Sequence, residues 1–193
     1  MSNLSTAAFK AWKRVEVSTD DSLIQAAIDS AEESLAQHCG RQFSLAGAAS
    51  ARLFRATSDR STVIDIDDCT TVTLVTDSGN TIDASAYQLE PVNGLQSWGE
   101  RSPYTAIRLI QPGYWSRFYG QATISVTATW GWPQLPARYF EAVKILTADI
   151  LDNRDIRNGV LGFTDYAGIR VRENPVVSAL VAKLVRAHAF GIA

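Results

Sequence analysis

Cysteine is scarce: Cys39 and Cys69 are the only two in 193 residues, and neither has a CxxC partner. Two thiols cannot make a disulfide framework, and a structural zinc site needs more ligands than these. Both are expected to be free, buried thiols of a cytosolic protein. Histidine is as rare. His38 and His188 each lie beside a predicted helix end, where an imidazole favours the negative end of the dipole. His38 and Cys39 are adjacent, so on a helix they point about 100° apart and form no nucleophile pair. The sequence has no GxSxG, HExxH, P-loop or GxGxxG. No catalytic residue, cofactor or metal ligand is therefore assigned.

An excess of one charge is missing too. Eighteen basic residues face 20 acidic ones, a formal net charge of −2. Residues 1–43 carry 4 basic and 6 acidic side chains, 44–136 carry 6 and 8, and 137–193 carry 8 and 6. A protein that coats nucleic acid neutralises phosphates with a clear Lys/Arg excess, so that class is excluded. Long hydrophobic runs are absent as well. The longest, Val176–Ala182, is far below the ~18–20 residues needed to cross a bilayer. Lys10, Lys13 and Arg14 interrupt the N-terminal segment where a signal peptide would need an apolar run. A soluble, non-secreted protein is expected, with no membrane partner.

What is present is ordinary globular material: 46% hydrophobic and 20% charged residues, enough to bury a core in one domain. Helix grammar comes first. Ala7–Arg14 suits a short helix, and Thr19, Asp20 and Asp21 offer caps for a longer one over 20–39. Its apolar residues recur at Leu23, Ile24, Ala27, Ile28, Ala31 and Leu35. Asp29, Glu32 and Glu33 sit opposite, and Gly40 is placed to end the helix in the left-handed conformation.

From about Ser50 to Trp132 the grammar is that of strands: Arg52–Arg55, Thr62–Ile66, Thr70–Thr76, Thr81–Ile82, Tyr87–Leu89, Thr105–Ile110 and Gln121–Trp130. Asp77-Ser78-Gly79-Asn80 reads as a hairpin turn, Asp68-Cys69-Thr70 as a strand-ending turn, and Asn93–Pro103 as a surface loop. In the last run Ala122, Ile124, Val126, Ala128 and Trp130 alternate with Thr123, Ser125, Thr127 and Thr129. Gly131 permits a bend, and Trp130 and Trp132 are expected to staple sheet to helices. Asp65 and Asp67 share a face opposite Ile64 and Ile66, so they read as solvated outer residues rather than a paired-carboxylate or cation site.

Helix grammar returns over Ala137–Asp152, with Phe140, Val143, Leu146, Ile150 and Leu151 apolar. A long connection, Asn153–Glu173, carries Gly159, Gly162 and Gly168, and loops of this length in compact domains are usually functional or mobile. In it Ile169 and Val171 alternate with Arg170 and Arg172. Asn174 and Pro175 then start a last helix through about His188, with Val176, Val177, Leu180, Val181, Leu184 and Val185 apolar. So wide a stripe calls for two covered surfaces, either inside one core or with Val177, Val181 and Val185 contributing to a partner contact. Trp98, Tyr104, Tyr114, Trp115, Phe118 and Tyr119 cluster where loops are richest. They supply contact area for a partner or a stacking platform, or else plug the end of the β-layer.

The helix ending Cys39-Gly40-Arg41-Gln42-Phe43 and the segment Val126-Thr127-Ala128-Thr129-Trp130-Gly131-Trp132-Pro133, with Pro136 beyond, carry a resemblance. Over roughly residues 18–188 the chain resembles the head–tail connector (adaptor) proteins of long-tailed double-stranded DNA phages, prophages and gene transfer agents. The resemblance implies an α+β fold: a small helical bundle from the N-terminal part, 1–50, and C-terminal part, 133–193, with an antiparallel β-layer, 51–132, inserted. It implies a structural virion protein, assembled in the host cytoplasm, that forms a ring, usually dodecameric, beneath the portal. That ring would join the DNA-filled head to the tail, dock a tail-completion or stopper protein, and extend a channel that DNA crosses without sequence-specific binding. On this reading the segment 153–173 is an arm, with Arg154, Arg157, Gly159, Gly162, Ile169, Arg170, Val171 and Arg172 as candidate contacts. The arginines suit a neighbouring copy, DNA phosphate or solvent. A carbohydrate- or peptide-binding module using Trp98, Tyr104, Trp115 and Tyr119 is the alternative.

Overall fold

A computed structural model of the chain describes residues 2–14, 21–95, 101–117, 121–158 and 174–186, with the backbone alone for 153–158. Two compact units emerge: residues 1–43 with 135–186, and residues 44–134.

The first unit is helical. Helix α1, Thr6–Lys13, starts at Ser5, whose hydroxyl accepts from the Ala8 N–H at 3.2 Å. It buries Phe9 and stops at Arg14, which is left-handed at φ 58°. Helix α2, Asp21–Cys39, buries Ile24, Ala27, Ile28, Ala31, Leu35 and Cys39, the stripe the spacing predicts. Its end is a Schellman motif. Gly40 takes φ 61° and donates to the Gln37 carbonyl at 3.4 Å, while Arg41 N–H reaches the Ala36 carbonyl at 3.1 Å.

Helix α3, Ala137–Asn158, runs six residues past the expected Asp152. Arg154 and Arg157 are therefore on a helix, not in a loop; nothing before Gly159 breaks helical geometry. The buried stripe of α3 is Tyr139, Ala142, Val143, Leu146 and Thr147, so Tyr139 rather than Phe140 faces the core. Helix α4, Pro175–Val181, is shorter than expected. Its last turn tightens, with Leu184 N–H on the Val181 carbonyl at 2.7 Å, and the chain then sends Arg186 N–H to the Cys39 carbonyl at 2.9 Å.

The second unit is an antiparallel sheet ordered β1-β6-β2-β5-β4, with β3 paired to β2. Its strands are β1 Ala49–Phe54, β2 Val63–Asp77, β3 Asn80–Thr81, β4 Tyr87–Glu90, β5 Tyr104–Leu109 and β6 Ile124–Trp130. β6 starts at Ile124 rather than Gln121, leaving Ala122 exposed ahead of it, and from there the predicted alternation holds: Ile124, Val126, Ala128 and Trp130 are buried and Ser125, Thr127 and Thr129 half-buried. The β2–β3 hairpin turns at Ser78 and Gly79, both at positive φ, with Asp77 opposite Asn80.

The strand-ending turn expected at Asp68-Cys69-Thr70 does not exist. β2 runs through it as one 15-residue strand. Its first half pairs with β5 and its second with β6, and Cys69 lies opposite both Tyr104 and Trp130. Register shifts on either side of Cys69 absorb the residues that locally favour a turn. Ile64, Ile66, Cys69, Val75, Ile107, Trp115, Ile124, Val126 and Trp130 fill the core.

Candidate assembly surfaces

Helix α4 is held at its start by Asn174. The side-chain oxygen accepts from Val176 N–H at 3.0 Å and Val177 N–H at 3.2 Å, while its amide donates to Asp149 of α3 at 2.7 Å. Two of the three candidate contact valines are spent inside the unit, since Val177 and Val181 are fully buried together with Leu184. Val185 remains 42% exposed, and Val176, which the pattern also made apolar, is 57% exposed. The wide stripe thus divides between a core face and an open one. Of the other arm residues, Gly159, Gly162, Ile169, Arg170, Val171 and Arg172 lie outside the described residues.

Of the aromatic cluster, Trp115 and Tyr104 pack into the sheet unit, whereas Tyr114 is 56% exposed. Trp115 is 1% exposed, its indole N–H donating to the Thr62 carbonyl at 3.1 Å and its backbone N–H to Ser61 at 2.9 Å. It is core, because the segment leading to it folds back on the start of β2. Tyr104 sits in β5, half-buried against the same core. Trp98 and Tyr119 lie outside the described residues. The indoles of Trp130 and Trp132 make their hydrogen bonds within the sheet unit, to the Ser50 carbonyl at 2.8 Å and the Asp68 carboxylate at 3.1 Å.

The acidic cluster is structural in its contacts. Asp67 pairs with Arg52 at 2.7 Å, and that guanidinium lies 4.6 Å over the Trp130 ring. Asp68 is buried. Among the described residues no three His, Cys, Asp or Glu side chains group as metal ligands, and no helix is long and apolar enough to cross a membrane. Burial pushes the Cys39 thiol up to about 11 and the Cys69 thiol, beside Asp68 and Asp67, to about 12. Both are free and buried as expected, and neither is an activated nucleophile.

One cluster had no signal in the sequence. Glu32, expected on the solvated face of α2, is half-buried and accepts from Asn3 N–H at 2.8 Å and Leu4 N–H at 3.0 Å. Asn3 also donates to Tyr139 Oη at 3.0 Å and to the Phe43 carbonyl at 2.6 Å. Tyr139 in turn hydrogen-bonds Glu32 and lies 4.7 Å from the Phe43 ring. Burial raises the Glu32 carboxyl, opposed by these bonds, and raises the Tyr139 phenol.

The outward face of β1, β6 and β2 is uncharged over three rows. Across the strands Ala49, Thr129 and Thr71 form one row, Ala51, Thr127 and Leu74 a second, and Leu53, Ser125, Thr76 and Thr81 a third. No Asp, Glu, Lys or Arg interrupts them. Thr71 donates to the Thr129 hydroxyl at 3.0 Å, and Thr73, at the bulge, to the Thr127 carbonyl at 3.1 Å. Leu53 is 66% and Leu74 45% exposed.

No family model matches the sequence, and no curated protein matches it. Solved structures do match the fold. A chain in the neck of an empty gene transfer agent particle computed with C6 symmetry is 16% identical, with a TM-score of 0.58 over 98% of this chain and 92% of that one. A chain in the neck of the native particle, computed with C12 symmetry, is 15% identical at a TM-score of 0.55, covering 96% and 90%. A chain in the virion of the native gene transfer agent gives 15%, 0.57, 98% and 92%. The chain has the fold of a gene transfer agent neck component. The likeness spans both the helical unit and the sheet unit, so the α+β architecture as a whole, inserted β-layer included, is the shared feature.

Proposed function

We propose that this chain is a non-enzymatic head–tail connector, a virion protein that forms a ring beneath the portal, joins the DNA-filled head to the tail and extends the DNA channel. The observation that carries the reading is the match of nearly the whole chain to nearly the whole of a neck component. A fold can host several functions. Here, however, neck structures computed with C6 and C12 symmetry support a cyclic oligomer, for which a dodecamer is the proposed copy number. The portal above, a tail-completion or stopper protein below and DNA passing through without sequence-specific contact are the proposed partners. A net charge of −2 suits a wall along which a polyanion slides.

Arg154 and Arg157 on the last turns of α3, Gly159, Gly162, Ile169, Arg170, Val171 and Arg172 in the sequence that follows, and Val185 beyond α4 are the proposed contacts. The ligand-binding alternative is not favoured, since Trp115, one of its four aromatics, is a core residue. Removing the chain from a producing strain tests the proposal. DNA-filled heads and separate tails are expected in electron micrographs, with joining restored by the wild-type chain; a normal yield of joined particles without it refutes the role.

A further inference from the structure

The two edges of the sheet are unlike. β4 is short, half-buried at every position, carries Glu90 in an ion pair with Arg108 at 2.9 Å and is followed by Pro91. Short length, charge and proline are the devices by which natural sheets protect an edge from pairing with another chain. β1 has none of them. It is six residues long, exposed at its first five positions, and keeps an unbroken register with β6 along its whole length. Its single charge, Arg52, lies opposite Val126, on the other face from Ala51 and Leu53, where it pairs in solvent with Asp67 over the Trp130 ring. Among the described residues β1 pairs only with β6, and next to its free edge lies the uncharged face of Ala49, Ala51, Leu53, Thr127, Thr129 and Leu74.

We propose that β1 and this adjoining face are the lateral interface of the ring, where a second copy of this chain adds an extended segment along β1 and covers the face. The inference rests on the connector reading above, which supplies the occupant: in a closed ring each copy meets the next through two different patches. Main-chain hydrogen bonds along β1 supply affinity, and the uncharged face, on which Leu53 and Leu74 are exposed, desolvates without stranding a charge. An exposed edge this long with no outward charge is otherwise an aggregation hazard, which a ring neighbour removes.

The test uses the full chain with purified portal. Backbone hydrogen exchange is followed in the free chain and in the assembled ring, and Leu53→Lys, Ala51→Lys and a control, Ala84→Lys in an exposed turn of the same unit, are assembled in parallel. The proposal expects β1 amides to exchange fast in the free chain and slowly in the ring. Each β1 lysine should raise the concentration needed for half-assembly about tenfold, since a charge is forced into an uncharged contact, while Ala84→Lys has no effect. A wild-type ring whose β1 amides exchange as fast as in the free chain overturns this interface and leaves the connector reading standing. So does normal assembly of both β1 lysine variants. A wild-type chain that forms no ring, alone or with portal, overturns both.

Discussion

The Trp132 indole N–H donates to the Asp68 carboxylate at 3.1 Å, joining two buried residues 64 positions apart. Trp132 is also tied through its backbone, its N–H reaching the Ser44 carbonyl and its carbonyl accepting from Ala46 N–H at 2.9 Å. Trp132→Phe keeps much of the apolar bulk and removes this donor to a buried carboxylate. It should cost about 1–3 kcal/mol of stability, read from the urea midpoint, whereas an unchanged midpoint contradicts a structural role for the pair.

Gly131 is the residue that makes this corner possible. Its φ of +119° is unfavourable for any side chain, and a Cβ would sit 2.8 Å from the Ser44 carbonyl oxygen and 2.9 Å from the Ala46 nitrogen. These are backbone atoms of the same unit and cannot rotate away. Gly131→Ala should destabilise the chain by at least about 2 kcal/mol, backbone strain and clash adding. Thermal unfolding of the purified variant checks it.

Trp115→Ala separates the two functional readings. As a core residue it should cost about 3–5 kcal/mol, seen in chemical denaturation. As a binding platform its loss would leave stability intact and abolish capture of a glycan or peptide.

The two thiols set an alkaline limit. Unfolded they titrate near 9.0, and in the fold burial holds them to about 11 and about 12. Between those values the folded chain binds more protons than the unfolded one, so the stabilising contribution is complete below about pH 9 and lost as pH rises through 11 to 12. Native protein at pH 8 should react slowly with a thiol reagent at both positions and rapidly in denaturant. Fast reaction of the native chain contradicts the burial.

Much of the helical unit was legible because its signals are local. The α2 stripe, Gly40 at its end and the Asn174-Pro175 start of α4 are each written within a few residues, and so are the hairpin at Ser78-Gly79 and the alternation of β6. The failures share the opposite cause. Asp68-Cys69-Thr70 has turn chemistry, but pairing to both β5 and β6 overrides it. Trp115 sits after Pro112 and Gly113, a loop by composition, yet its partner Thr62 is 53 residues away. Tyr139 and Asn3 are 136 apart. Val177 and Val181 could be recognised as apolar, but only their packing shows that the core takes them and leaves Val176 and Val185 open.

The central claim is that copies of this chain close into a ring at the portal, and mass in solution tests it most directly. Light scattering of the purified chain, alone and then mixed with purified portal, should give one discrete multi-subunit mass in at least one of the two conditions. A monomer in the first that shows no added mass on the portal in the second contradicts the account.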